Sequence, residues 1–282
     1  MKNIVVVGCG TMGNGIAHLF AQNNYDVYLN DISDEYLQKA LKIISNNLDR
    51  QIKKGEITEE QKNSTLTNIK ATTNLESALQ NPDLVIEAVS ENINLKKDIF
   101  NKVDKISPPK TIIASNTSSI SITELAQSTK RAEKVIGMHF MNPVPVIKLI
   151  EVIRGKSTSD ETCKIIMDLS KSLNKTPVEV NDFPGFVTNR ILIPMLNEAI
   201  YCVMQKVAEP EAIDTVMKLG MNHPMGPLTL ADYIGLDVCL SIMNVLYEGF
   251  KDPKYLPCPL LLEMVANGNL GRKTGKGFFN YN

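Results

Sequence analysis

The sequence predicts an α/β fold, with a doubly wound parallel sheet followed by an all-helical C-terminal domain. Three observations carry this prediction. Short β-branched runs alternate with helix-period segments over residues 1–184. A glycine-rich junction, "GCGTMG" at residues 8–13, joins the first such run to the first helix. Beyond "NDFPG", residues 181–185, only helical patterns remain. Alternation of strand and helix builds parallel sheets with helices on both faces, so the arrangement is Rossmann-type.

Each element follows from its local pattern. "NIVVVG" is short, β-branched and closed by glycine, as a parallel strand buried on both faces should be. "GIAHLFAQNN" reads as a helix and "YDVYLND" as a second strand ending at Asp31. From Ser33 to about Lys54 apolar residues recur at helical spacing, with Ser33 as N-cap and Gly55 as stop. A further helix over about 58–66 makes this a helical hairpin, about residues 33–68, inserted in the sheet domain. "LVIEAV", "TIIASN" and "KVIGMHF" are strands, separated by the helices "LKKDIFNKVDKI" and "ITELAQS". "IKLIEVIR" and "PVEVN" are strands around a helix over 160–173. Domain 1–184 ends there. Domain 185–282 holds "GFVTNRILIPMLNEAIYCVMQ", "EPEAIDTVMKLG", "PLTLADYIGLDVCLSIMNVLYEG" and "PLLLEMVANG", all read as helices, with "GFFNY" as a terminal loop.

Composition narrows the function. The chain has 282 residues, 43% of them hydrophobic, enough for two cores. Its 30 basic and 31 acidic residues are interspersed and give a net charge of -1, so no basic stripe points to nucleic acid or a membrane surface. The cysteines, Cys9, Cys163, Cys202, Cys239 and Cys258, are odd in number, widely spaced and without a CxxC pair. Reduced thiols in a cytoplasm fit that pattern, and a disulfide framework or a zinc site does not. No apolar run reaches bilayer length, and the run after Lys2 is too short for a signal peptide.

The glycines predict a nucleotide site. Gly8 permits the tight turn, Gly10 lets backbone approach a pyrophosphate, and Gly13 lets helix and strand pack closely. Thr11 and Met12 lie within the same glycine-rich stretch and are counted with the cofactor-binding residues, and the helix N-terminus that follows would offer unpaired N–H groups and its positive dipole end to the phosphates. Asp31 ends the next strand, about 20 residues on, where a carboxylate binds both hydroxyls of an adenosine ribose. It would repel a 2′-phosphate, and no arginine follows it in "DISDEY", so the expected cofactor is NAD and not NADP.

Three histidines compete for chemistry. His18 lies within the first helix among apolar residues and reads as structural, and His223 in "NHPMGP" reads as a turn or capping residue. His139 ends a strand at the carboxyl edge, where open α/β sheets place ligands. Glu151, alone amid Leu149, Ile150, Val152 and Ile153, needs a partner if buried, and a histidine would serve. Such a pair suits proton exchange with an alcohol or ketone.

The motifs "GCGTMGNGIA", "ASNTSS", "GMHFMNPV", "EVIRG", "FPGFVTNRI", "HPMGPLTLADYIGLD" and "GRKTGKGFFNY" together resemble the L-3-hydroxyacyl-CoA dehydrogenase family over essentially the whole chain. In length and layout the chain is similar to the bacterial short-chain members. The resemblance implies reversible hydride transfer between NAD and C3 of an acyl-CoA, with acetoacetyl-CoA and (S)-3-hydroxybutyryl-CoA as the expected pair. It implies that His139 is the acid/base, Glu151 its orienting partner, Ser118 the partner of the substrate C3 oxygen, and Asn189 a contact near the thioester carbonyl. Glu91, Lys96, Asn116, Asn142 and Lys273 match positions near the ribose or nicotinamide end of the cofactor. Lys54 matches a lysine near the CoA phosphates, and Asn47 stands where some relatives carry a CoA-contacting serine. Met141 departs from the aromatic common at its position. The resemblance further implies a homodimer through the C-terminal helical domain, and no metal. Two rival readings remain: a gulonate-type dehydrogenase of sugar acids, which a CoA requirement would separate from this one, and a dinucleotide-binding sensor without turnover, against which the intact Ser118, His139, Glu151 and Asn189 set argues.

Overall fold

The computed structural model describes residues 1–281, which divide into two compact units, one ending at Asp182 and one beginning at Phe183. The first unit holds β1 (Asn3–Val7), α1 (Thr11–Gln22), β2 (Asp26–Asn30), α2 (Asp34–Lys53), α3 (Glu59–Thr67), β3 (Ile69–Thr72), α4 (Leu75–Ala78) and β4 (Leu84–Glu87). It continues with α5 (Ile93–Ile106), β5 (Ile112–Ser115), α6 (Ile122–Ala126), β6 (Val135–Phe140), β7 (Leu149–Arg154), α7 (Asp160–Ser172) and β8 (Thr176–Asn181). The strands form one sheet in the order β3-β2-β1-β4-β5-β6-β7-β8. The order reverses between β1 and β4, and there the carboxyl ends of parallel strands open a crevice for ligands.

The helices are set by their ends and apolar faces. Ser33 caps α2 by accepting from the Tyr36 N–H, and Leu37, Ala40, Ile44 and Leu48 form its buried face. Gly55 takes φ +72 beyond its end, a conformation that costs glycine little. Thr58 and Gln61 cap each other at the start of α3, each side chain taking the other's backbone N–H. Ile4, Ile16, Phe20, Ile44 and Ile86 are fully buried between helix and sheet. Each contributes about 2–3 kcal/mol of apolar transfer.

Three features differ from the sequence reading. The first helix begins at Thr11, directly after Gly10 and well before "GIAHLF". β3 is an added edge strand, parallel to β2, and only Ile69 of its four residues is buried, so its apolar signal is weak. The pairing of β6 with β7 is antiparallel. Residues 141–148 between them contain no crossover helix, which a parallel connection requires. The sheet is thus mostly, not wholly, parallel.

The second unit contains α8 (Thr188–Met204), α9 (Pro210–Gly220), α10 (Pro227–Ile234), α11 (Leu236–Phe250) and α12 (Pro259–Ala266) around Leu196, Ile200, Leu228, Met243, Leu246 and Leu261. The stretch read as one helix over "PLTLADYIGLDVCLSIMNVLYEG" is two, bent by 95° at Gly235, whose φ of +103 leaves the helical region. Asp214 caps α10 by accepting from the Leu228 and Thr229 N–H groups at 2.8 and 3.0 Å. Asp232 accepts from the Phe278 and Phe279 N–H groups and the Tyr281 hydroxyl, each at 3.0 Å, and so ties the terminal segment to α10. Among the described residues no single helix is long and apolar enough to cross a membrane.

Candidate active site

The glycine turn and α1 border a cleft of about 1090 Å³ at the switch point, lined among others by Gly8, Gly10, Thr11, Asp31, Asn47 and Asn142. Gly8 has φ +98, and a Cβ there would come 2.8 Å from the Ala88 carbonyl oxygen. A Cβ on Gly13 would meet the Gly8 carbonyl oxygen at 1.8 Å. A Cβ on Gly10 would meet nothing within 4 Å, so this backbone faces open space. Gly10 is also the N-cap of α1 and offers no side-chain cap, so the first N–H groups, Thr11 and Met12 among them, point out unclaimed by one. The Asp31 carboxylate accepts from the Cys9 N–H (2.8 Å) and the Ile32 N–H (2.8 Å), which aims it across the turn. Each oxygen keeps lone pairs for a diol. Bare backbone, an open helix N-terminus and a fixed carboxylate fit a dinucleotide. Burial and the neighbouring Asp31 push the Cys9 thiol up to about 12, which keeps it unreactive beside this turn.

β6 and β7 supply the proton-handling pair. His139 and Glu151 stand opposite each other in the antiparallel register. The His139 Nδ1 lies 2.7 Å from Glu151 Oε2, and both residues are buried, at 7% and 2% exposure. A carboxylate at that distance holds the Nδ1–H tautomer and accommodates the imidazolium. Lys175, buried just before β8, braces the β6–β7 connection by donating to the Val144, Ile147 and Pro145 carbonyls at 2.6, 2.7 and 3.4 Å. Burial pushes its ammonium below the usual lysine range.

A third cluster surrounds the turn after β5. Glu91 accepts from the Ser118 N–H (2.6 Å), the Ser118 hydroxyl (2.9 Å) and the Thr117 hydroxyl (2.9 Å). Lys96 reaches Glu91 at 3.4 Å but lies against Glu87 at 2.7 Å, with both Lys96 and Glu87 side chains 1% exposed. Asn116 Oδ1 accepts from the Phe140 N–H at 3.0 Å, which fastens this turn to the strand end carrying His139. The sequence reading did not single out Glu87, Ser115, Thr117 or Lys175. Glu87 carried a usable signal, since it is a lone glutamate closing the apolar run "LVIE", as Glu151 is in "LIEVI".

The remaining candidates lie elsewhere. Lys54 closes α2 with an ion pair to Glu56 at 4.0 Å and is mostly exposed. Asn47 accepts from Arg50 at 3.4 Å on the cleft wall. Asn189 is buried in the first turn of α8, and Lys273 pairs with Asp237 at 2.6 Å, both within the second unit. Met141 is half-buried beside Asn142.

Comparison with known proteins joins these observations. Residues 3–183 match the 3-hydroxyacyl-CoA dehydrogenase NAD binding domain, and residues 185–281 match the C-terminal domain of the same description. The chain is 55% identical, over 100% of its length and 98% of the relative's, to a probable 3-hydroxybutyryl-CoA dehydrogenase of Bacillus subtilis strain 168. It is 52% identical to a 3-hydroxybutyryl-CoA dehydrogenase of Clostridioides difficile, with 99% of each chain covered. The crystal structure of (S)-3-hydroxybutyryl-CoA dehydrogenase PaaH1 from Ralstonia eutropha superposes with a TM-score of 0.97 at 52% identity, and each chain is covered completely.

Proposed function

The chain belongs to the 3-hydroxyacyl-CoA dehydrogenase family, and on that premise we propose that it interconverts acetoacetyl-CoA and (S)-3-hydroxybutyryl-CoA. It is an NAD-dependent oxidoreductase. The observation that carries the chemical reading is the cross-strand contact of His139 Nδ1 with Glu151. With Nδ1 held by the carboxylate, Nε2 exchanges the proton. It takes the C3 hydroxyl proton in oxidation and returns a proton to the C3 oxygen in reduction. NAD, when bound, accepts or supplies the hydride. Asp31, the glycine turn and the first N–H groups of α1 hold the cofactor, with Glu91, Lys96, Asn116, Asn142 and Lys273 assigned to its ribose and nicotinamide end. Ser118 hydrogen-bonds the C3 oxygen, and Asn189 polarises the thioester carbonyl. Lys54 and Asn47 are the assigned CoA contacts.

Two finer statements belong to the same reading. The protein forms a homodimer through its helical unit, whose exposed Val207, Val216, Leu219 and Met221 are apolar surface that a partner copy would cover. Its free cysteines suit a reducing cytoplasm. Light scattering of the purified protein tests the dimer, and a monomer at micromolar concentration refutes it.

The deciding experiment follows NADH absorbance with acetoacetyl-CoA, beside NADPH and free acetoacetate. Turnover confined to NADH and the thioester is expected. Turnover of sugar acids, or NADH binding without turnover, would replace this reading by the gulonate-type enzyme or the sensor. His139→Ala is expected to lose about 10²–10⁴-fold in kcat while keeping NADH affinity. Reduction, which needs protonated His139, should peak at lower pH than oxidation, and a shared optimum with chemistry rate-limiting would exclude His139 as proton carrier.

A further inference from the structure

We propose that Glu87 is a positioning residue for the reaction, placing the Ser118 hydroxyl from two directions at once; this rests on the reading of Ser118 as the partner of the substrate C3 oxygen. Glu87 ends β4 with its side chain 1% exposed. A buried carboxylate is tolerable only when its oxygens are claimed by donors. Oε1 accepts from the Val89 N–H at 2.6 Å and the Lys96 ammonium at 2.7 Å, and Oε2 accepts from the Ser115 hydroxyl at 2.6 Å.

Both side-chain partners lead to the turn at residues 116–118. Lys96, fixed by Glu87 and by the Val89 carbonyl at 3.3 Å, stands 3.4 Å from Glu91 Oε2. Glu91 then takes the Ser118 N–H and hydroxyl on Oε1. On the other side, the Ser115 hydroxyl gives its proton to Glu87, so its lone pair receives the Thr117 N–H at 3.1 Å. The Thr117 hydroxyl in turn accepts from the Ser119 and Ile120 N–H groups at 3.2 and 2.9 Å and donates to Glu91. One carboxylate thus sets the charge partner of Glu91 and the direction of the Ser115 hydroxyl. Networks of this kind are worth more together than pair by pair. A buried ion pair often adds little net stability over an apolar pair of similar volume. Placement of the turn is therefore the stronger reason for this one.

The test is Glu87→Gln in the full chain. The neutral glutamine no longer offers Lys96 a charge partner, and its NH₂ must face either the Lys96 ammonium, donor against donor, or the Ser115 hydroxyl, which must then reverse and accept, so one route to the turn is altered. We expect kcat with acetoacetyl-CoA to fall about 10–100-fold, the scale known for outer residues that orient metal-bound side chains. Combined with Ser118→Ala, the added loss should be under about threefold, because both changes act through one hydroxyl. The double variant Glu87→Gln/Lys96→Met leaves no unpaired buried charge. It should regain the urea midpoint without regaining kcat. Because Lys96 is itself assigned to the cofactor end, Ser115→Ala, which opens only the second route, carries the test if the single variant does not fold: kcat should fall with NADH affinity kept, and wild-type kcat there would overturn the proposal. Wild-type kcat in folded Glu87→Gln, full additivity with Ser118→Ala, or joint recovery of stability and kcat in the double variant would each overturn the proposal. If the wild-type protein turns over no thioester, the functional reading has failed, and a crystal structure of Glu87→Gln decides the point alone. Release of the Ser118 hydroxyl from Glu91 supports the positioning role, and an unchanged pair refutes it.

Discussion

Both units bury carboxylates, and they face them with different partners. In the first unit Glu87 stands against the Lys96 ammonium and Glu151 against the His139 imidazole, each at 2.7 Å. In the second unit Asp214 and Asp232 receive backbone N–H groups and neutral hydroxyls. A buried acid satisfied by N–H groups fixes where two chain segments cross. A buried acid set against a titratable base controls that base's charge and tautomer. Burial alone, then, does not separate structural from chemical carboxylates, but the class of donor does.

The sharpest break of this comparison is Glu151→Gln. The amide occupies the same volume but can offer Nδ1 a donor, which reverses the imidazole tautomer. We expect kcat to fall about 10²–10⁴-fold with little change in NADH affinity or urea midpoint. The pH dependence assigned to the imidazole should be lost from the remaining activity, and a loss of stability with an unchanged kcat and pH profile would make Glu151 structural.

His18 fits neither pattern. It is fully buried in α1, and neither ring nitrogen has a hydrogen-bond partner. Burial pushes the imidazole down to about 4 from 6.5; Gln22, one turn on, offsets a little of this without reaching hydrogen-bond distance. Between those values the unfolded chain binds a proton that the folded chain refuses, so stability is complete above about pH 6.5 and falls as pH drops toward 4. The loss approaches about 3 kcal/mol. Urea midpoints from pH 7.5 to 4.5 should fall more steeply for the wild type than for His18→Leu, and parallel curves would exclude His18 as the source.

Asp214→Ala should act in the opposite sense to Glu151→Gln. It strips the cap from α10 and leaves the buried Leu228 N–H without its acceptor, at a cost of about 2 kcal/mol. The unfolding free energy from urea denaturation should fall by that amount while kcat of the folded enzyme stays within twofold. A kinetic effect as large as that of Glu151→Gln would erase the distinction between the two units.

Legibility followed the type of signal. The alternation of strand and helix and the glycine turn could be read because each depends on residues adjacent in sequence. The contact of His139 with Glu151 was inferable because a lone glutamate in an apolar strand demands a donor. The same demand at Glu87 went unread, since its partners, Lys96 and Ser115, lie on two other elements and neither is unusual locally. β3 escaped because one buried isoleucine in four residues makes no period. The break at Gly235 escaped because the apolar pattern runs straight through it, and only the positive φ ends the helix.

The smallest expected effect separates two glycines of one motif. Gly13→Ala would drive a methyl group to 1.8 Å from the Gly8 carbonyl oxygen, so the turn itself must move and folding suffers. Gly10→Ala meets no protein atom within 4 Å, so the unfolding free energy should change by under about 0.5 kcal/mol. Its methyl group would stand where the turn opens to a phosphate, and NADH affinity should fall about tenfold, or about 1.4 kcal/mol. Fluorescence titration with NADH reads the second effect and urea denaturation the first. Unchanged NADH affinity in Gly10→Ala would mean that the phosphates lie elsewhere along α1 and that Gly10 is bare only to permit the turn.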